Sequence, residues 1–343
     1  MPSAEPPICT TLGLFIIDDN IYPDSWNRPS EHDIVGGGAS YAIVGARIAS
    51  GPRLGARVAG IIDKGTDFPQ DVEDEINAWG AGPIFRENKN RLTTRGANVY
   101  QEDGFRSFVY KTPKKRIEHH DIVETGNLIY SKTFHMCCAV DRCEQIIDCF
   151  HEKLRNTETD KPLYIFEPFP DICVPENFEA LANILHKVDV FSPNLEEAAR
   201  FLGVEVPHTE EGISKLAEKF IQFSPKHGGV VIRCGALGCY IRTRGESFML
   251  KAYHTDQSKV VDVTGGGNSF CGAFITALYL SHKDWMIAGA FGNVASGCII
   301  EKLGMPLRKA GTEEWNGTSI MARLQHYVEV NGLDIDLEKI EWM

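Results

Sequence analysis

The chain has 343 residues, 43% of them hydrophobic and 24% charged, the makeup of an ordinary globular protein with room for one large α/β domain or two small ones. Its 35 basic residues stand against 47 acidic ones, a formal net charge of -12, which argues against nucleic acid or an anionic membrane surface as the main partner. No apolar run reaches the 18 residues of a membrane span, and residues 1–11 lack the basic and apolar regions of a signal peptide, so a cytoplasmic location is expected.

In chain order, an apolar run at 8–17 reads as a buried strand and 41–49 as a helix. Residues 93–110 read as a hairpin: two β-rich runs flank Gln101-Glu102-Asp103-Gly104, a turn ending in Asp-Gly. Helical patterns follow at 140–154, 177–186, 195–202 and 212–223. Short apolar runs between and after them, at 163–166, 188–191 and 229–234, read as strands. Helices close the series at 272–280 and near 320–330. This alternation predicts a mostly parallel sheet with helices on both faces. Ligands of such sheets lie outside the carboxyl ends of the strands.

The most informative stretch is Asp262-Val263-Thr264-Gly265-Gly266-Gly267-Asn268, just before the helix at 272–280. Three glycines leave backbone N–H groups free to converge on an anion, and a helix start adds a positive dipole end. A plain strand-to-helix turn needs one glycine and not the whole frame. A second run, Gly36-Gly37-Gly38-Ala39-Ser40, reads either as a close backbone approach to a ligand or as a tight junction. Asp18 closes the first strand; its carboxylate could accept from two hydroxyls of a vicinal diol, or simply begin a turn. Asn194 and Glu197 have the spacing of a helix capping box, and the same carboxylate suits Mg²⁺ held through water. Arg233, before Gly235 and Gly238, could reach a phosphate or point outward. The ten cysteines contain no Cys-x-x-Cys pair and read as reduced thiols. His135, Cys137, Cys138 and Cys143 fit no zinc spacing. Lys114-Lys115-Arg116 reads as a solvated loop.

These stretches, in this order from residue 8 to about 306, resemble the signatures of the PfkB (ribokinase-like) carbohydrate kinases. Residues 262–268 resemble the family's C-terminal signature, usually Asp-x-Thr-Gly-Ala-Gly-Asp. Residues 35–48 resemble its N-terminal signature, with Ser40 where the family has Asn. Residues 194–197 resemble its Asn-x-x-Glu motif, and 230–240 its Thr-x-Gly-x-x-Gly strand end, with Arg233 in place of Thr. Asn293 falls in a small-residue helix similar to the one that backs the adenine. The Gly-Gly-Gly-Asn form resembles the fungal maintenance-of-killer members of the family.

The resemblance implies a single ribokinase-like α/β domain over 1–343, with a mostly parallel sheet flanked by helices and a small antiparallel β lid. The lid hairpin would be about 93–110, with contributions near 14–35, and 312–343 would be a C-terminal extension. It implies ATP and Mg²⁺ as cofactors, a sugar or nucleoside as substrate, and a lid-to-lid homodimer. Substrate would lie at Asp18, Gly36, Gly37, Gly38 and Ser40. Nucleotide would lie at Arg233, Gly235, Gly238, Thr264 and Asn293, and the metal at Asn194 and Glu197. Gly265, Gly266, Gly267 and Asn268 would serve catalysis. Where the family has its catalytic aspartate, this chain has Asn268. An amide can orient a hydroxyl but cannot take its proton, and a general base is typically worth about 10²–10⁴ in rate. Three readings stay open: a kinase that is slow or draws its base from elsewhere, a non-catalytic nucleotide or sugar binder, and a scaffold with a vestigial site. On the first, an aspartate at 268 is expected to raise transfer.

Overall fold

Residues 8–17 are buried almost without break, yet they split between two strands, β1 (Cys9–Thr11) and β2 (Ile16–Ile21). Uniform burial hides the break, because it leaves no periodicity to mark where one strand ends. Gly13 lies between them. A Cβ there would stand 2.6 Å from the Ala39 amide nitrogen, so the chain passes directly over a helix start and leaves one sheet for another. The computed structural model describes residues 5–103, 105–340 and 342–343; Gly104, in the expected hairpin turn, lies outside them.

The remaining strands are β3 (Glu31–Gly36), β4 (Val58–Lys64), β5 (Ile84–Glu87), β6 (Arg95–Tyr100), β7 (Arg106–Tyr110), β8 (Thr133–Cys138) and β9 (Leu163–Pro168). They continue with β10 (Val190–Phe191), β11 (Gly229–Arg233), β12 (Cys239–Thr243), β13 (Ser247–Leu250), β14 (Glu314–Trp315) and β15 (Thr318–Ser319). The helices are α1 (Gly37–Leu54), α2 (Gln70–Ala78), α3 (His119–Glu124), α4 (Val140–Leu154) and α5 (Phe178–Ile184). After them come α6 (Leu195–Leu202), α7 (Glu210–Ile221), α8 (Gly266–Leu280), α9 (Trp285–Ile300) and α10 (Ile320–Asn331).

Nine strands form the main sheet in the order β13-β12-β11-β10-β9-β8-β1-β4-β5. It is parallel from β11 to β5, and at one edge β12 alone runs the other way, pairing antiparallel with both β11 and β13. From β1 the chain builds one way through β4 and β5, then the other way through β8 to β11. The order therefore reverses between β1 and β8, where sheets of this kind open a crevice at their carboxyl ends. This is the mostly parallel sheet with helices on both faces that the alternation predicts, and the ribokinase-like α/β architecture that the resemblance implies. One apolar cluster covers one face with α1, α8, α9 and α10, and a second covers the other with α3 to α7.

A second sheet, β3-β2-β6-β7, stands off the main one. The expected hairpin forms, with β6 and β7 antiparallel. The lid is not wholly antiparallel, however, since β2 and β6 at its centre run parallel. The two hairpin partners, β3 and β7, flank a pair of strands that leave the main sheet in the same direction. Among the described residues no helix is long and apolar enough to cross a membrane.

Arg47 on α1 ties this frame to the C-terminal residues. Its side chain is 2% exposed. It donates to both carboxylate oxygens of Glu313, at 2.8 and 2.7 Å, and to the carbonyls of Gly51 and Gly80. Arg47→Ala would leave Glu313 to Arg308 alone, at 3.1 Å, and take a donor from two carbonyls, so urea unfolding is expected to show a loss of about 1–3 kcal/mol.

Candidate active site

Helices α1 and α8 touch backbone to backbone. A Cβ on Gly45 would lie 2.0 Å from the Ser269 carbonyl oxygen, and one on Gly272 would lie 2.1 Å from that of Ala42. Only hydrogen side chains permit that approach. It brings the two glycine runs, at the starts of α1 and α8, to the same crevice: Gly38 faces Asn268, whose Nδ2 would be 3.2 Å from a Cβ there. Gly265 takes φ +78° at the α8 cap, a left-handed conformation that favours glycine.

Around Asn268 four parallel strands deliver a buried polar network, β1, β9 and β11 from at or near their carboxyl ends and β8 from its middle. Glu167 on β9, with its side chain 7% exposed, is the centre. Its Oε2 accepts from Asn268 Nδ2 at 2.8 Å and pairs with His135 Nε2, from β8, at 2.9 Å. Its Oε1 meets Arg233 Nη1, from the end of β11, at 2.8 Å. Behind His135, Nδ1 meets Thr11 Oγ1, from β1, at 2.9 Å. Burial alone would push the Glu167 carboxyl up. The Arg233 guanidinium, His135 and Asn268 together outweigh that and hold it at about 2.

Arg233 is fixed from a second side as well. Its Nη2 donates to the Ser192 carbonyl at 3.1 Å and to Glu197 Oε2 at 3.4 Å. Asn194 and Glu197 form both reciprocal bonds of a capping box, at 2.7 Å each. Both side chains are thus committed to the α6 start, Asn194 through Oδ1 and Glu197 through Oε2, and Glu197 is the carboxylate of the pair. A carboxylate that orders Mg²⁺ through water needs only an oxygen within reach, and Glu197 fits that requirement. His135, Glu167 and Cys271 bring donor atoms within 4.8 Å of one another, but Arg233 already neutralises Glu167. Burial, and then Glu167 itself, push the Cys271 thiol up, so the cluster keeps its proton and its charge balance without a metal.

Two cavities flank the network. One, of about 290 Å³, is lined by Arg233, Gly235, Gly238, Gly266, Gly267 and Asn293 among others. The other, of about 630 Å³, lies under the lid against Leu14, Ile16, Gly38, Phe108, Tyr110 and Cys137. Asn268 stands between them: it follows Gly267, touches Gly38, and its Nδ2 is 3.8 Å from Cys137 Sγ.

The other expected residues have varied placements. Asp18 is buried beneath Phe108 between Gly36 and Gly96; a Cβ on Gly36 would lie 2.0 Å from its Oδ2. Its neighbour Asp19 is instead bound by Lys111 at 2.5 Å and the Asp33 amide at 3.3 Å. Ser40 is fully buried and donates to the Gly36 carbonyl at 2.8 Å, so its hydroxyl serves the helix start. Thr264 donates to Asp262 at 2.8 Å, which shapes the loop before α8. Asn293 donates to Tyr327 of α10 at 3.0 Å. Sequence reasoning missed Glu167 and Tyr327, and weighed His135 only as a metal ligand without zinc spacing. The one available signal for Glu167 was a carboxylate directly after the apolar run 163–166.

The pattern defining the "pfkB family carbohydrate kinase" matches residues 36–307. The chain is 36% identical over 348 aligned residues to protein MAK32 of Saccharomyces cerevisiae, covering 96% of this chain and 94% of that one. It is 35% identical over 343 residues to an uncharacterized protein, C16C9.01c, of Schizosaccharomyces pombe, covering 93% and 92%. Its fold matches that of Arabidopsis thaliana ribokinase complexed with ribose and ATP at a TM-score of 0.68, with 17% identity over 94% of this chain and 99% of that one.

Two measurements probe the network. A Cβ on Gly267 would fall 2.0 Å from Arg233 Nη1, whereas one on Gly266 would meet Ser296 and Ile300 at 3.1 Å. Gly267→Ala is therefore expected to cost about 1–3 kcal/mol in thermal unfolding, and Gly266→Ala less. The depressed Glu167 carboxyl contributes stability that is present above its ordinary value of 4.5 and is lost as pH falls towards about 2. Across that window unfolding experiments should show a loss of about 3 kcal/mol that the Glu167→Gln variant lacks.

Proposed function

This chain belongs to the pfkB family of carbohydrate kinases, and we propose that it transfers the terminal phosphate of ATP to a hydroxyl of a sugar or nucleoside. The observation that carries this reading is the place of Asn268 between two cavities, next to Gly267 of the one against the glycine start of α8 and against Gly38 of the one beneath the lid. Phosphoryl transfer rests on positioning and on charge stabilisation at the phosphate. The amides at the start of α8 supply donors for a phosphate, with Arg233 beside them. Mg²⁺, when bound with ATP, would neutralise phosphate oxygens, and Glu197 would order its water shell. Asp18 would hold acceptor hydroxyls, with β6 and β7 keeping out water.

The acceptor oxygen bonds to the terminal phosphorus as the bond to the bridging oxygen breaks, and ADP leaves. The hydroxyl proton needs an acceptor, and Asn268 is not one. Glu167 Oε2 lies 2.8 Å from the amide, and we assign it the proton. The carboxylate absent at 268 is then supplied from β9.

A second reading, a non-catalytic nucleotide or sugar binder, is favoured by the closed hydrogen bonding of Glu167. Calorimetry with Mg²⁺ and ATP, followed by ADP release over a panel of pentoses, hexoses and nucleosides, separates the two. Bound nucleotide with no transfer to any acceptor supports the binder, and no bound nucleotide excludes the kinase and any nucleotide binder.

On this reading the expectation for Asn268→Asp is the opposite of the one drawn from the sequence. A second carboxylate 2.8 Å from Glu167 could not ionise alongside it. Asn268→Asp alone is expected to leave transfer at or below wild type. Glu167→Gln alone should lose on the order of 10²-fold. The paired variant, Glu167→Gln with Asn268→Asp, exchanges the two groups and should recover to within about tenfold of wild type. A paired variant as inactive as Glu167→Gln would make Glu167 a structural residue.

A further inference from the structure

Arg233 lines the smaller cavity beside Gly266 and Gly267. Its Nη1 stands where a side chain at 267 would be. Nη1 serves Glu167, and Nη2 serves Ser192 and Glu197. Its Nε is buried with no hydrogen-bond partner among the described residues. A buried donor without a partner is uncommon in native proteins and calls for an explanation. Here it belongs to a planar, permanently charged fork, the geometry that matches phosphate oxygens. It also lies at a 15-residue helix start whose amides favour the same ligand.

The two carboxylates on Arg233 are not equivalent. Glu167 is held at 2.8 Å through its Oε1, while its Oε2 is taken by His135 and Asn268. Glu197 is at 3.4 Å, and its Oε2 is also held by the Asn194 amide at 2.7 Å. The weaker contact is the one that can be exchanged at smaller loss. Both carboxylates together outweigh the guanidinium, so an anion arriving at Arg233 competes with Glu197 first.

Resting on the kinase reading above, we propose that Arg233 grips the terminal phosphate of a nucleoside triphosphate, giving up its contact with Glu197 and keeping that with Glu167. A diphosphate ends one phosphate short of this grip, so the arginine sets a preference for ATP over ADP. Glu197, once released, is available to a metal-bound water.

The test is calorimetric titration of the full chain with ATP and with ADP, in Mg²⁺ and in EDTA. Arg233→Gln is expected to lower ATP affinity about tenfold to a hundredfold and ADP affinity less than about threefold. Glu197→Gln removes the competitor and should hold or raise ATP affinity in EDTA. Arg233→Gln strands Glu167 in the interior, so Arg233→Gln with Glu167→Gln is measured beside Glu167→Gln alone. The same ATP-specific loss should appear between those two. Equal losses for ATP and ADP, or an ATP affinity unchanged by removing the arginine, would overturn the assignment and leave the nucleotide site standing. Wild-type protein that binds neither nucleotide in Mg²⁺ would take the kinase reading down with it.

Discussion

Glu167 is a buried carboxylate whose three polar neighbours come from three elements: His135 from β8, Arg233 from β11 and Asn268 from α8. Breaking a buried pair typically costs about 3–5 kcal/mol, because the remaining charge has no solvent to fall back on. The identities at 135, 167, 233 and 268 are therefore linked. With a carboxylate at 167, position 268 must donate, which an amide does and a second carboxylate does not. Position 233 must carry a positive charge, and glycine at 267 leaves it room. Asn268, which in the sequence reads as a lost catalytic group, is in the structure the partner that Glu167 requires.

That network is only as well placed as the helices that frame it. Gly45 and Gly272 let α1 and α8 meet at backbone distance, and this contact sets where Gly38 faces Asn268. A methyl at either glycine would push the helices apart and open the seam between the two cavities. The strand order adds the rest: Thr11, Glu167 and Arg233, at or near the carboxyl ends of parallel strands, and His135, in the middle of one, sit on either side of the reversal between β1 and β8. Residues more than 200 positions apart thus converge without any long loop.

The sheet-and-helix alternation was legible because buried strands and amphipathic helices leave distinct periods: α4 and α6 fall at 140–154 and 195–202, as read. The run at 8–17 was not, because burial on both faces erases the period that would have shown two strands. The glycine runs were legible through their composition. The role of Glu167 was not, since its partners lie 32, 66 and 101 positions away along the chain and no local pattern reports a long-range ion pair. Ser40 and Thr264 show the converse. Their positions in the motifs were plain, but each hydroxyl is bound to its own neighbourhood, which spacing alone does not distinguish from a ligand contact.

The ion pair also links the two sides of the site in energy. With Arg233 against it, Glu167 is held at about 2 and is a poor proton acceptor at neutral pH, because catalytic efficiency rises as a base's pKa nears the operating pH. A phosphate that shares the guanidinium draws positive charge away from Glu167. The opposing influence, burial, then weighs more, and the carboxyl rises. On the proposed reading, basicity at Glu167 follows the seating of the triphosphate instead of preceding it. The carboxylate that an aspartate at 268 would have held permanently ready is here conditional, because the cation that must stabilise the phosphate is the same one that keeps the base quiet.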